Sequence, residues 1–556
     1  MRLPAALLCC ASVLASAAPS VTVFGSTPAG VMSAVAAARY GGALVTLLDP
    51  SPRVGGMCSG GLGVTDQGDT FAIGGLAHEF FLRNARVYNS SAQDPLYKLE
   101  PHVAEQLFLQ MLDEANVTRV PVGAISHVEF SGQRIVSLGF EDGSSFAVPE
   151  VIIDASYEAQ VVVGASRALP DQPPFMTFGR EAASTYKESW GGRREPFGYP
   201  FDSRAISPLA DDGSLLPLMT TRLSAPVGSG DAHVQGYNFR LCAVRKGENK
   251  NWVPMPDPTP GSYNASDWEL LRRFAALPGI TNVSQFVGCG QIPLGKLDCN
   301  NGCLVSTDVT GLSWSFPNAN ASVRAAITAA HKAYTIAFFY TLRTDPAIPA
   351  TVRASAQDLG LCGDEFESNG NFPEQLYVRE AARLVGDRVL VQSDLWPATD
   401  FGEASIGMGS YAADGHYSTR GPCVLQPAGA VHHCLMVTSE AELQAALANG
   451  TLGTGGEGYV GDKNTYALYQ IPAWALFPRR AAATNLLSPT APSASHVTFA
   501  SLRVEPQYMV MGHAAGDIAA MAAGAGVPVQ DVPLPQLHAR LAAEGAVLCH
   551  VGFPHC

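Results

Sequence analysis

Residues 21–54 read VTVFGSTPAGVMSAVAAARYGGALVTLLDPSPRV, and this stretch decides the fold. The opening VTVF is a β-branched and aromatic run, which predicts a strand. Glycines follow at 25 and 30, with Pro28 between them, where a first helical turn tolerates a missing N–H. The Ala-rich run over 31–39 predicts a helix, stopped by Gly41-Gly42. A second apolar strand over 43–48 ends at Asp49, 24 residues after Gly25. Strand, glycine turn, helix, strand and acid form the pattern of a dinucleotide-binding βαβ unit. Gly25 permits the tight turn and Gly30 lets the helix pack closely on the sheet. Free N–H groups at the helix start attract a pyrophosphate, and Asp49 can accept hydrogen bonds from ribose hydroxyls. Thr27 stands where such units usually carry a middle glycine. Its Cβ narrows the approach to phosphate, while its hydroxyl can supply a compensating bond. The alternative is an ordinary βαβ unit with a Gly-rich turn.

Directly after the acid come Arg53-Val54-Gly55-Gly56-Met57 and then Ser59-Gly60-Gly61-Leu62-Gly63. From Gly25 through this segment the chain resembles the FAD-dependent oxidoreductase family whose members begin with G-x-T-P-A-G. That family belongs to the glutathione-reductase-like flavoprotein group, and its members often carry Thr in the middle position. The resemblance extends to GGLAHEFF (74–81), VIIDASYE (151–158) and QLYVRE (375–380) with Arg383 and Gly386. It continues through SIGMGSY (405–411) with Asp414 and His416, YQIP (469–472), SASH (493–496), RVEP (503–506) and GHAAG (512–516). The segments keep one order from Gly25 to Gly516. The resemblance implies FAD as cofactor and an α/β fold, a three-layer Rossmann-like FAD-binding domain with an inserted α+β substrate domain. The candidate cofactor-binding residues are Gly25, Thr27, Ala29, Gly30, Asp49, Arg53, Gly55, Gly56, Met57, Asp154, Gly512 and Ala515.

Composition bounds the rest. The chain has 556 residues, 35 Lys+Arg against 49 Asp+Glu, a net charge of −14 and only 15% charged residues. Average soluble proteins carry roughly 25%. With 47% hydrophobic residues the chain is expected to be globular rather than disordered. An acidic chain without a basic run is not expected to bind nucleic acid. Residues 1–18 read as a secretory signal peptide: Arg2, an apolar run, then Ala15-Ser16-Ala17. An uncleaved anchor is the alternative. Beyond it no segment is long and apolar enough to predict a membrane partner. N-glycosylation sequons stand at Asn89, Asn116, Asn264, Asn282, Asn320 and Asn449. Without Cys9 and Cys10 of the leader, ten cysteines remain, and an oxidising compartment favours pairing. At least two disulfides are expected, with the partners open. A secreted or secretory-pathway location follows from these features as an expectation.

The reading divides the chain at 19–180 (first part of the FAD domain, with a β-meander), 181–468 (inserted substrate or cap domain, returning toward the flavin near 375–390) and 469–556 (second part and tail). A helix is expected over 100–115. Strands are expected over 120–130, 135–140, 145–148 and 151–154, with helices over 321–339 and 506–524. The Gly-rich run 449–461 reads as a surface loop. The last helix would aim its positive N-terminal end at an electron-rich ring and stabilise reduced flavin.

A flavin oxidoreductase needs a group to take the substrate proton while hydride leaves for the ring, which points to histidine. His496, just before the last helix, is the first candidate, and a structural hydrogen-bonder is its alternative. His416, in Asp414-Gly415-His416, is the second; a turn histidine is the alternative. Arg379, read with Glu380 at the start of a helix, either holds an anion or belongs to a buried ion pair with Glu380 and Arg383. Arg240 is a weaker candidate of the same kind. Cys58 reads as a buried or disulfide-bonded cysteine before a flavin thioether. His432-His433 beside Cys434 lacks further ligands at metal spacing, so no metal is expected. The leading expectation is a secreted enzyme passing hydride from a small polar organic substrate to flavin N5, reoxidised by oxygen or a small acceptor. The alternatives are a carbohydrate-processing lyase-like enzyme, since some relatives carry polysaccharide-lyase names, and a non-catalytic secreted flavin-binding protein. Substrate identity and oligomeric state are not readable.

Overall fold

The computed structural model of the protein describes residues 18–195, 206–302, 304–427, 430, 434–461, 467–554 and 556. Most of the leader, Cys303 and the His432-His433 pair lie outside the described residues.

Strand β1 (Ser20–Phe24) turns into helix α1 (Pro28–Arg39), which returns to β2 (Leu44–Asp49). β1 and β2 are parallel, with Phe24 opposite Leu48. Helices α2 (Gly56–Ser59), α3 (Gly75–Tyr88) and α4 (Pro101–Glu114) follow. The strand expected over 120–130 is in fact two. β3 (Thr118–Pro121) joins β2 in parallel, and β4 (Ile125–Ser131) opens an antiparallel meander with β5 (Arg134–Phe140) and β6 (Ser145–Ala147). Pro121, which has no N–H to donate, ends β3, and Gly123 lies in the link where the chain changes sheets. β7 (Val151–Asp154) then pairs in parallel with β1 and leads into α5 (Gln160–Ala168). Far along the chain, β8 (Leu486–Leu487) pairs in parallel with β7. The sheet order is β8-β7-β1-β2-β3. The order reverses at β1, whose C-terminal end is therefore the switch point where open α/β sheets bind ligands.

Three later helices matter to the site: α6 (Ala321–Thr344), α7 (His496–Leu502) and α8 (Glu505–Ala525). α8 lies against α1 with its backbone almost in contact. A Cβ at Gly512 would sit 2.3 Å from the Ala29 carbonyl oxygen, and one at Gly516 would sit 2.3 Å from that of Ser33. The Ser33 hydroxyl fills the seam, donating to the carbonyls of Ala29 (2.8 Å) and Gly512 (2.9 Å).

A second five-stranded sheet is antiparallel, ordered Trp252–Pro254, Leu359–Cys362, Leu241–Arg245, Lys296–Gly302, Val287–Ile292. Two disulfides staple it, Cys242–Cys362 and Cys289–Cys299. Cys423–Cys434 and Cys549–Cys556 are also paired, and Cys58 is a buried free thiol. The run read as a Gly-rich surface loop contains a buried strand, Leu452–Glu457, paired with Thr419–Leu425. Its glycines are there for space. A Cβ on Gly455 would meet the Cys434 sulfur at 2.9 Å, and one on Gly456 would meet the Tyr417 ring at 2.9 Å. Arg379 and Glu380 do not start a helix either; they lie in irregular chain just before Arg383–Leu384, which pairs with Met176–Thr177. Among the described residues no helix is long and apolar enough to cross a membrane.

Two glycines of α8 separate packing from propensity. Gly516→Ala should lower stability by about 1–3 kcal/mol through overpacking. Gly524→Ala, whose Cβ would find only a Pro19 carbon at 3.9 Å, should be neutral or stabilising by up to about 1 kcal/mol. Urea unfolding of both variants checks the pair.

Candidate functional site

A cleft of about 200 Å³ lies at the C-terminal ends of β1, β2 and β7, lined by Gly25, Ser26, Thr27, Ser51, Gly56 and Tyr157 among others. Gly25 has φ +98°, and a Cβ there would press on the Ala155 carbonyl at 3.0 Å. A Cβ at Gly30 would sit 1.9 Å from the Gly25 oxygen. Thr27 caps α1. Its hydroxyl accepts from the Gly30 N–H (3.2 Å) and donates to the Ala155 carbonyl (2.7 Å). The hydroxyl thus turns inward and ties the first turn to β7, which accounts for a threonine in the middle position. Asp49 accepts from the Ser26 hydroxyl (2.6 Å) and the Ser51 N–H (3.1 Å), with Arg119 at 3.5 Å.

The other residues read as cofactor-binding are placed as follows. Gly55 faces the Phe108 ring, which a Cβ would meet at 2.4 Å. Gly56 faces the Tyr157 hydroxyl at 2.5 Å by the same measure, and the Met57 N–H donates to that hydroxyl at 3.0 Å. The Arg53 guanidinium is held by Glu105 (2.7 Å) and Glu374 (2.8 Å). Asp154 holds the β7–α5 turn, accepting from the Ser156 N–H (3.1 Å), the Ser156 hydroxyl (2.7 Å) and the Val162 N–H (2.9 Å). Burial pushes its carboxyl up to about 6, although those bonds oppose the shift. Gly512 packs on Ala29 as described, and Ala29 and Ala515 are buried.

His496, His416 and Arg379 are brought into one network. His496 Nδ1 lies 2.9 Å from Glu380, which also pairs with Arg383. Gln235 donates from its amide to Glu380 (2.8 Å) and accepts from the His416 N–H (2.8 Å). His416 Nδ1 is 2.7 Å from Asp308, and Asp308 pairs at 2.8 Å with Arg379, which also donates to the Gly236 carbonyl (2.6 Å). Burial alone would raise the Glu380 carboxyl, but His496 and Arg383 beside it hold it below its ordinary value. Asp308 is likewise held down, against burial, by Arg379 and His416. Burial lowers Arg379. The network has a closed and an open end: the His496 side chain is 1% exposed, those of His416 and Asp308 12%, and that of Asp414 25%.

Asp308 and Gln235 carried no sequence signal, because they sit in irregular chain far from the motifs they serve. Tyr157, Glu505 and Gln507 were also missed as individual residues. Tyr157 donates to Glu505 at 2.6 Å. Five buried atoms of these elements have no hydrogen-bond partner among the described residues: His496 Nε2, Arg379 Nε, Glu505 Oε2, and Gln507 Oε1 and Nε2. Two groups of side chains with metal-ligand spacing, Glu100/His102/Glu365 and His513/Asp517/Glu544, have carboxylates already paired with Lys296 and Arg540.

A model of the FAD dependent oxidoreductase family matches residues 20–541. The chain belongs to that family. FAD is its cofactor, and the cleft at the ends of β1 and β7, with unpartnered buried polar atoms on α7 and α8, is chemically suited to it. No protein of curated function matches the chain. Among solved structures, it is similar to thioredoxin reductase of Lactococcus lactis at 18% identity, over 25% of this chain and 35% of that one, with a TM-score of 0.16. It is similar to GidA of Aquifex aeolicus at 16% over 25% of each chain (TM-score 0.20). The THI4 protein of Thermovibrio ammonificans gives 17% over 31% of this chain and 70% of that one (TM-score 0.22). The match thus spans about a third of that reductase, and values this low carry no argument about activity.

Two outcomes test the family member's coenzyme cradle. Thr27→Val should cost about 1–2 kcal/mol of stability and weaken FAD retention, whereas Thr27→Ser should not; urea unfolding and the 450 nm flavin absorbance read both. For Asp154, the folded pKa of about 6 exceeds the ordinary 3.8. The folded state therefore keeps a proton that the unfolded chain has lost, and stability falls as pH rises from 4 through 6. Asp154→Asn should remove about 3 kcal/mol of that fall, seen as a flatter stability profile.

Proposed function

We propose that this chain is an exported enzyme of the glutathione-reductase-like flavoprotein group, marked by its G-x-T-P-A-G start. It oxidises a small, polar, uncharged organic substrate, and oxygen or a small diffusible acceptor reoxidises it. The observation that carries the reading is His496. Its Nδ1 is anchored by Glu380 while its Nε2 is buried with no protein partner. When bound, FAD would supply the two-electron acceptor for the substrate's hydride. His496 Nε2 is free to take the substrate's other proton, and Glu380 fixes the ring and stabilises the resulting imidazolium. Asp308 holds His416 in the same way at the open end, where substrate enters.

The substrate's lack of charge follows from the pairing of the arginines. Arg379 has Asp308, Arg503 has Asp414 (3.0 Å), Arg240 has Asp298 and Arg383 has Glu380 and Glu181. Each of these charges is thus already compensated by a carboxylate, although Arg379 keeps one Nε–H without a hydrogen-bond partner among the described residues. Export is supported by the leader, by the four disulfides and by the sequons, five of which have exposed asparagines and one, Asn282, a half-buried one.

The test is anaerobic mixing of purified holoenzyme with sugars, amino acids and hydroxy acids. Sugars or other neutral polyols should bleach the flavin. His496→Gln should slow that bleaching by about 10²–10⁴-fold with flavin still bound. Rapid stoichiometric consumption of NADPH by the protein would contradict the proposed electron flow.

A further inference from the structure

The first turn of α8 poses a problem of unmet hydrogen bonds. Glu505 is 3% exposed and Gln507 1%, yet Glu505 Oε2 and both amide atoms of Gln507 have no hydrogen-bond partner among the described residues. Buried polar groups without partners are rare and costly. Three such atoms on one helical turn call for a ligand that both donates and accepts.

Their position says which ligand. Glu505 Oε1 accepts from the Tyr157 hydroxyl (2.6 Å), and that hydroxyl accepts from the Met57 N–H (3.0 Å). Tyr157 and Gly56 line the cleft at the ends of β1 and β7. Glu505 Oε2 therefore stands one side chain away from the coenzyme cradle, and Gln507 lies two residues further along the same first turn of α8. An oxidised flavin ring has an edge on which an N–H lies between two carbonyls. An amide offers one acceptor and one donor to such an edge. We propose that Gln507 binds this edge through its amide, and that Glu505 donates to the ring from Oε2.

Donation requires a protonated carboxyl, and the surroundings supply the reason for one. Among the described residues no cation pairs with Glu505. Burial pushes its carboxyl up to about 8, with the Tyr157 bond opposing. Tyr157 donates to Oε1, which leaves the carboxyl proton on Oε2. A neutral donor beside the positive end of α8 favours the negative charge that reduction adds to the ring. An ionised glutamate in this place would oppose it.

The inference rests on FAD being the cofactor and needs no substrate, so its outcome is independent of the proposed reaction. In full-length holoenzyme, Gln507→Leu should weaken FAD binding about tenfold. It should also weaken binding of reduced flavin about tenfold more than that of oxidised flavin, read as a fall of about 30 mV in the two-electron midpoint potential. Glu505→Leu should lower the potential in the same direction, and Glu505→Gln, which keeps a donor in place, should hold it near the wild-type value. A structural role alone would lower the urea midpoint while leaving FAD affinity and potential unchanged, and that result overturns the proposal. Equal falls in Glu505→Leu and Glu505→Gln overturn the donor role of Glu505. If Gln507→Leu does not fold, Gln507→Met, of similar length and without the amide, decides: loss of the amide lowers FAD affinity and the potential, and unchanged values of both overturn the assignment.

Discussion

The close backbone packing around the turn from β1 into α1 is the constraint on which the site depends. Gly25 presses on the Ala155 carbonyl, Gly30 on Gly25, and Gly512 of α8 on Ala29. A side chain at any of these points would separate β1, β7, α1 and α8. The Thr27 hydroxyl then locks the arrangement from inside, bonding to both the helix start and the end of β7. The start of α1 and a switch point in the strand order consequently meet at one cleft.

Around this cradle the protein buries an unusual amount of charge. Arg379, Arg383, Arg503, Glu380 and His496 are each at most 2% exposed. Pairs of this kind contribute little net stability, because desolvation offsets their attraction. What they provide is orientation. Glu380 and Asp308 each fix one histidine by Nδ1, so that the two rings present Nε2 in defined directions. The mutual pairing also leaves the open end without surplus positive charge, which is a statement about which substrates it can hold.

Legibility in the sequence followed distance along the chain. The βαβ unit could be read because all its parts lie within about thirty residues and each obeys a local rule of periodicity or turn chemistry. The same rules failed where residues served a distant neighbour. Glycines 455 and 456 looked like part of a loop, but their small size makes room for a disulfide and a tyrosine ring brought from elsewhere. Arg379 and Glu380 looked like a helix start, but no helix forms there, and their side chains are held by Gly236 and Gln235, more than a hundred residues away.

From the sequence alone came the nucleotide-binding unit, the family resemblance, an excess of acid and the cysteine count, since each is a property of local pattern or composition. Only the folded chain decided that His496, His416 and Arg379 share one network through Asp308, Gln235 and Glu380. It also decided that Arg53 and Asp154 hold the scaffold together, and that Glu505 and Gln507 carry unmet hydrogen bonds. The physical reason is burial. Whether a polar atom is paired, strained or waiting for a ligand depends on which distant groups are packed against it, and no local pattern records that.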